Sequence, residues 1–234
     1  GHQLGLAERA RNGHALAALW QEAADEECTQ YELQRLGFND AESAARRLAA
    51  MRSGSRYQQM PTAVRERFDG LMPRVIETSL KTPNPGRTLE RLLDLLDTIS
   101  RRAAYLALLE EYPHALDKVA QLVGSSGRTA RYLQTHPILL DELLDPRLFE
   151  TAPDWKLFRQ QLDERLDAIA PDTERQMDVL RDAYHAQVFR LLVQDVSGLL
   201  TVVKLADYLS ELPDLMIDAA LRPAWRPLHT RHRE

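Results

Sequence analysis

The alternation of apolar and polar positions follows a helical period along nearly the whole chain. Between Leu4 and Tyr31, Leu6, Ala10, Leu16, Leu19 and Ala23 form an apolar stripe with Gly13 as a weak point, which predicts a long first helix. The phrase LQRLGFND closes a turn of helix at Gly37, and Asn39 or Asp40 can cap the next. AESAARRLAAMRSG reads as a compact helix ended by Ser53-Gly54. Pro61 suits the first turn of a helix running through VRERFDGLMPRVIETSL, and Pro73 inside it predicts a kink. KTPNPGRT, residues 81–88, is the strongest punctuation and reads as a loop between two subdomains. Leu89, Leu92, Leu93, Leu96 and Ile99 then lie on one face of a strongly amphipathic helix, with Thr88 as its cap.

Shorter elements follow. AAYLALLEEY continues to Pro113, ALDKVAQLV ends at Gly124, and RTARYLQTH closes at His136-Pro137. HPILLDELLDP, residues 136–146, then places Ile138, Leu139, Leu140, Leu143 and Leu144 in one short helix between two prolines, which reads either as a buried elbow in a helical scaffold or as a docking peptide that would leave an exposed apolar patch. From Asp154 the helices lengthen. WKLFRQQLDERLDAIA stops at Ala170-Pro171, and Asp172 can cap a helix with the stripe Met177, Leu180, Tyr184, Val188 and Leu191, broken at Gly198. A last helix spans roughly Val202 to Ala219 with a break at Pro213, and the tail RPAWRPLHTRHRE reads as frayed. No stretch alternates with period two between hairpin turns, and no repeat of fixed length occurs. The expected fold is all-α, an irregular multi-helix bundle without a sheet, in two helical subdomains at residues 1–85 and 86–234.

Composition narrows the function classes. A chain of 234 residues, 44% hydrophobic and 28% charged, can bury a substantial core. A net charge of -5 argues against a nucleic-acid-binding role. The single cysteine, Cys28, excludes an internal disulfide framework and fits a reducing, cytoplasmic setting. No apolar run approaches the ~20 residues of a membrane span, and no signal peptide is visible. The start Gly1-His2 reads as a cleavage scar on a piece of a larger protein.

Catalytic signatures are missing from the sequence. It has no Gly-x-Gly-x-x-Gly, no phosphate loop, no Gly-x-Ser-x-Gly, no His-Glu-x-x-His and no Asp-x-Asp for a magnesium site. The pairs Asp94/Asp97, Asp163/Asp167 and Asp178/Asp182 share helix faces, as a metal or acid-base pair would; interleaved Arg and Gln favour a solvated face instead. His229 and His232 have metal-ligand spacing but no Cys partner. His114 and His136 read as helix-end residues, His185 as a semi-buried one and Cys28 as a quiet thiol. No catalytic, cofactor-binding or metal residue is expected. Arg101, Arg102, Arg128 and Arg131 are the candidates for contact with an acidic partner, Arg101-Arg102 foremost because it lies where two helical runs join.

TLERLLDLLDTISRRAAYLALL (residues 88–109) and HPILLDELLDP (136–146), with LQRLGFND, QMDVLRDAYHAQVFRLLVQDVSGLL and KLADYLSELPDLMIDAAL in the same order, resemble the central region of the bacterial glutamine synthetase adenylyltransferase family. The resemblance runs from about Leu33 to Ala220 and rests on helical packing phrases. It implies a parent enzyme with two nucleotidyltransferase-like domains, one transferring AMP from ATP to a tyrosine of glutamine synthetase and one removing it by phosphorolysis. PII protein, its uridylylated form and glutamine would set the balance, and ATP and magnesium would serve the parent enzyme. The family's glycine pair and Ser-Asp-x-Asp motif are missing, so the chain would lie between the two catalytic sheets. Three readings follow: a connecting and regulatory segment, a module that itself docks PII protein or glutamine, and, as the weakest, a self-sufficient enzyme. The chain alone is expected to be monomeric, to bind no nucleic acid and to touch no membrane.

Overall fold

A computed structural model describes residues 2–23, 25–145, 153–196 and 202–230, with side chains over 11–23, 25–145, 153–196 and 204–221. Every element among the described residues is a helix. The chain divides into two compact units, residues 1–140 and 141–234. The expected boundary at 85/86 falls inside the first unit.

The first unit opens with α1 (His2–Gln21) and α2 (Glu26–Leu36). These are two helices where one pattern from Leu4 to Tyr31 suggested a single long one. The separation comes from Asp25, whose carboxylate accepts the Cys28 N–H at 3.2 Å, with Glu26 and Glu27 in the first turn. Gly37 ends α2 at φ 113°, and its N–H donates to the carbonyls of Leu33 and Gln34. Asp40 caps α3 (Ala41–Ser53) through the Ser43 N–H. The short α4 (Ser55–Gln58) follows at Gly54.

Pro61 is the N-cap of α5 (Thr62–Leu80), which runs unbroken through Pro73. The fully buried Leu71, Met72, Val75 and Ile76 flank that proline. Burying each stabilises by about 1.5–3 kcal/mol, enough to offset the ~3 kcal/mol proline penalty. α5 packs against α1 and against the helices that follow, α6 (Pro85–Ile99), α7 (Ala103–Glu111) and α8 (Pro113–Ser125). The unit closes with α9 (Gly127–Thr135), packed on α6 and α8.

The expected loop over 81–88 is shorter than its sequence suggests. Asn84, not Thr88, caps α6, accepting the Arg87 N–H at 3.1 Å, and Pro85 takes the first helical position. Thr88 is fully buried inside the helix, its hydroxyl 2.7 Å from that of Thr82. The leucine stripe of α6 is buried as its spacing predicts, from Leu89 at 1% exposure to Ile99 at 0%. α8 does not stop at Gly124, which lies inside it where the helix crosses Thr88.

Pro137–Leu144 forms a 3-10 helix rather than a turn of α-helix. Three residues per turn place Ile138, Asp141 and Leu144 in one column, and all three are exposed while Leu139, Leu140 and Leu143 are buried. The leucines of the elbow are therefore buried in part only.

In the second unit, α10 (Trp155–Ala168), α11 (Thr173–Val196) and α12 (Val202–Thr230) pack against one another. Their core is Leu162, Leu166, Leu180, Ala183 and Ala219, edged by the half-buried Phe158, Val179, Leu215 and Met216. Asp154 and Asp172 cap α10 and α11 through the N–H groups of Leu157 and Arg175. The buried face of α11 runs through Gln176, Leu180 and Ala183, so Met177 and Tyr184 of the expected stripe lie off it and are exposed. α12 neither breaks at Pro213 nor stops at Ala219; it continues to Thr230, with Leu212 and Ala219 buried. Gly198 lies outside the described residues.

Candidate functional site

Two polar arrangements in the first unit are structural. Asp69 of α5 accepts from Trp20 Nε1 at 2.8 Å and from the Tyr57 hydroxyl at 2.6 Å. The Arg52 guanidinium lies over both rings and donates to the same hydroxyl. Burial, reinforced by the hydrogen bond to the Asp69 carboxylate, pushes the Tyr57 phenol up to about 12. Phe68 completes the aromatic cluster, 5.9 Å from both rings. α1, α4 and α5 are thus joined by one node in which each buried polar atom named has a partner.

The second arrangement explains an acidic pair. Arg47 of α3 donates to Asp94 at 2.9 Å and Asp97 at 3.1 Å on α6. Burial opposes its charge, but the two carboxylates outweigh it and hold the guanidinium above its usual range. Asp94 and Asp97 therefore clamp two helices. The other pairs are similarly engaged: Asp163 accepts from Arg159 at 3.1 Å and Asp178 from Arg181 at 3.1 Å. Among the described residues no group of three or more His, Cys, Asp or Glu is placed to hold a metal ion. His229 and His232 fall outside the described side chains. Cys28 is exposed, and His136 caps the end of α9 with its ring 4.8 Å from that of Tyr132.

The concave surface with functional character flanks the N-terminal half of α6. On one side a groove of about 630 Å³ runs between α3 and the start of α6, lined by Asp40, Arg46, Arg47, Asn84, Arg87 and Leu89 among others. On the other side a cleft of about 380 Å³ lies between α6 and α9, lined by Glu90, Arg91, Asp94, Gly127, Arg131 and Gln134 with Ala130. Arg91 Nη1 donates to the Val123 carbonyl at the end of α8 at 2.5 Å. Burial, and then the like charges of Arg87 and Arg131, hold the Arg91 guanidinium below its usual range, with Glu90 opposing.

Of the arginines singled out by sequence, Arg131 lines this cleft, while Arg101, Arg102 and Arg128 do not. All four are exposed. Arg101 occupies the turn after α6, and Arg102 precedes α7 with its guanidinium 5.8 Å from the Tyr105 ring. Sequence reasoning missed Arg87 and Arg91. Their signal was present as an i, i+4 pair of arginines on a helix whose opposite face is leucine.

Among the described residues no helix is long and apolar enough to cross a membrane. Comparison with known proteins gives one consistent result. The chain is 55% identical to the bifunctional glutamine synthetase adenylyltransferase/adenylyl-removing enzyme of Aromatoleum aromaticum, over 94% of this chain and 24% of that protein. The enzymes of the same name from Chromobacterium violaceum and Ralstonia nicotianae are 47% and 42% identical, over 94% and 98% of this chain and 25% and 24% of theirs. The chain thus spans about a quarter of the length of the curated relatives it matches. Residues 116–234 match the sequence model of one family, and with these relatives they make the chain a member of the glutamate-ammonia ligase adenylyltransferase family.

Proposed function

We propose that the chain is a non-catalytic helical connector, a regulatory segment of an enzyme that adenylylates and deadenylylates glutamine synthetase in nitrogen control. The observation that carries this reading is the use made of the acidic pairs. Asp94 and Asp97 clamp α3 to α6 through Arg47, and Asp163 shares Arg159 with Asp218 of α12, so these carboxylates are engaged in holding helices together, while Asp178 pairs with Arg181 within α11. Among the described residues helices alone supply the scaffold, and the chain spans about a quarter of the length of its relatives. ATP, magnesium and the catalytic carboxylates belong, on this reading, to the remainder of a cytoplasmic parent enzyme.

The test has two arms. The purified chain, given glutamine synthetase, ATP and magnesium, is expected to transfer no AMP; transfer would sink the reading. In the full-length parent enzyme, the Arg47 clamp is broken by Arg47→Met. Both catalytic activities are expected to survive while their response to effectors weakens. An unchanged response in a folded variant counts against a regulatory role.

A second reading makes the segment itself the receiver of PII protein or glutamine. It is favoured by exposed arginines without carboxylate partners among the described residues, Arg101, Arg128 and Arg131, together with Arg102. Calorimetric titration with PII protein, unmodified and uridylylated, with and without glutamine, separates the two. Saturable binding that charge reversal at Arg101 and Arg102 removes makes the segment a sensor; no heat from the folded chain leaves it a connector.

A further inference from the structure

We infer that the cleft between α6 and α9 is an oxyanion site, in which Arg91 and Arg131, with Arg87 one helical turn along α6, take a carboxylate or phosphate group. The inference is independent of the connector reading, since an anion can bind whether or not a protein effector does.

Three observations converge. The first is placement. Arg91 is tied by Nη1 to the Val123 carbonyl, and its Nη2 lies so near the start of α9 that a Cβ on Gly127 would be 3.0 Å away. The guanidinium is therefore held in position before any ligand arrives, which reduces the ordering needed on binding.

The second is uncompensated charge. Half-buried Arg47, Arg159 and Arg190 face carboxylates: Arg47 meets Asp94 and Asp97, Arg159 meets Asp163 and Asp218, and Arg190 meets Glu142 and Asp145, whereas Arg91, like Arg65 and Arg74, donates to a backbone carbonyl. Arg87 and Arg131 have no ion-pair partner among the described residues, and both charges bear on Arg91. The acids on the cleft are Glu90 and Asp94, and Asp94 is already held by Arg47. On the cleft, Arg91 and Arg131 are left against one uncommitted carboxylate, Glu90, and Arg87 on the neighbouring groove adds its charge at Arg91. Like charges held together in this way raise the local potential and favour a bound anion.

The third is room and chemistry. The cleft measures about 380 Å³, several times the ~30 Å³ that a water takes in the liquid. Gln134 adds an amide donor to its wall. Forked guanidinium groups match the two oxygens of a carboxylate or phosphate in a way a lysine does not. The same chemistry can be presented by a free inorganic anion or by the side chains of an acidic protein segment.

Both sources are tested on the full 234-residue chain. It is titrated with inorganic phosphate and, separately, with a hexaglutamate peptide, at matched ionic strength in chloride. Saturable binding of at least one is expected, weakened at least ~10-fold by Arg131→Glu and less by Arg87→Ala. It should be unchanged by Arg181→Ala, whose side chain pairs with Asp178 on α11. Tighter phosphate binding identifies a free anion as the ligand, and tighter peptide binding identifies an acidic segment. Arg87 and Arg131 are exposed, so circular dichroism is expected to show both variants folded. Absence of saturable binding by either probe, or binding that survives Arg131→Glu, overturns the site.

Discussion

The two units pack their helices differently. The first centres on α5, with Phe68, Leu71, Met72, Val75 and Ile76 all at 1% exposure or less and an aromatic node joining Trp20, Tyr57 and Phe68. The second buries Phe189, Leu191, Val193 and Leu212 as deeply, has beside them a cluster of three leucines and two alanines edged by half-buried side chains, and leaves Met177, Tyr184, Leu209, Ile217 and Leu221 exposed. It has electrostatic pins, as the first unit has in the Arg47 clamp. Arg159 links α10 to α12 by donating to Asp163 at 3.1 Å and Asp218 at 2.5 Å, and those bonds outweigh the burial that opposes its charge. Arg190 of α11 holds the end of the 3-10 helix through Asp145 at 2.7 Å. Deep apolar burial tolerates little loss of volume, whereas a small cluster edged by half-buried side chains, such as that of Leu162 and Leu166, can relax around a gap.

That contrast can be broken by substitution. Trp20→Ala is expected to have the largest effect, about 3–5 kcal/mol, because it opens a cavity in a site at 1% exposure and strands Asp69 without its indole donor. Urea denaturation followed by far-ultraviolet circular dichroism measures it. Leu166→Ala in the second unit should cost about 2–3 kcal/mol, at the low end for a buried leucine, since half-buried Phe158 and Leu215 can move in. If Leu166→Ala destabilises as much as Trp20→Ala, the second core is as rigid as the first and the contrast fails.

The aromatic node makes a pH prediction. The Tyr57 phenol stands at about 12 when folded against an ordinary 10. Protons are then retained by the folded state longer than by the unfolded chain, so the stabilisation is complete below pH 10 and is lost between about 10 and 12. Tyr57→Phe should flatten that part of the stability profile relative to the parent chain. A variant with the same alkaline slope would place its cause elsewhere. The smallest effect is expected from Arg181→Gln, which breaks an exposed i, i+3 pair with Asp178 and should change stability by no more than ~0.5 kcal/mol in a urea melt.

Helices announced by a cap and a dense stripe were legible in the sequence. α3 begins at Asp40, α6 buries its five predicted apolar residues, and Asp172 opens α11. The misreadings have a common origin, since local signals were given more weight than tertiary packing. Pro73 and Pro213 lie inside continuous helices, Pro73 between the buried Leu71, Met72, Val75 and Ile76 and Pro213 beside the buried Leu212. The break between α1 and α2 contains neither glycine nor proline and depends on one aspartate. On α11 the expected Leu180 and Leu191 are buried, but Met177 and Tyr184 each lie one position from the buried Gln176 and Ala183. The cleft on α6 was the least legible. Arg131 was visible as a charged residue, but its nearness to Arg91 depends on how α9 lies on α6, which no local pattern encodes.

The crossing of α6 and α8 has an evolutionary consequence. A Cβ built on Gly124 would lie 2.5 Å from the Thr88 hydroxyl, closer than real atoms approach. Neither helix can therefore drift freely at this position. Gly124→Ala alone forces the Thr88 hydroxyl to shift, an overpacking cost of about 1–3 kcal/mol, while after Thr88→Ala that clash is gone. The two sites are coupled in order: a lineage in which the threonine shrinks before the glycine grows avoids the clash that the reverse order meets.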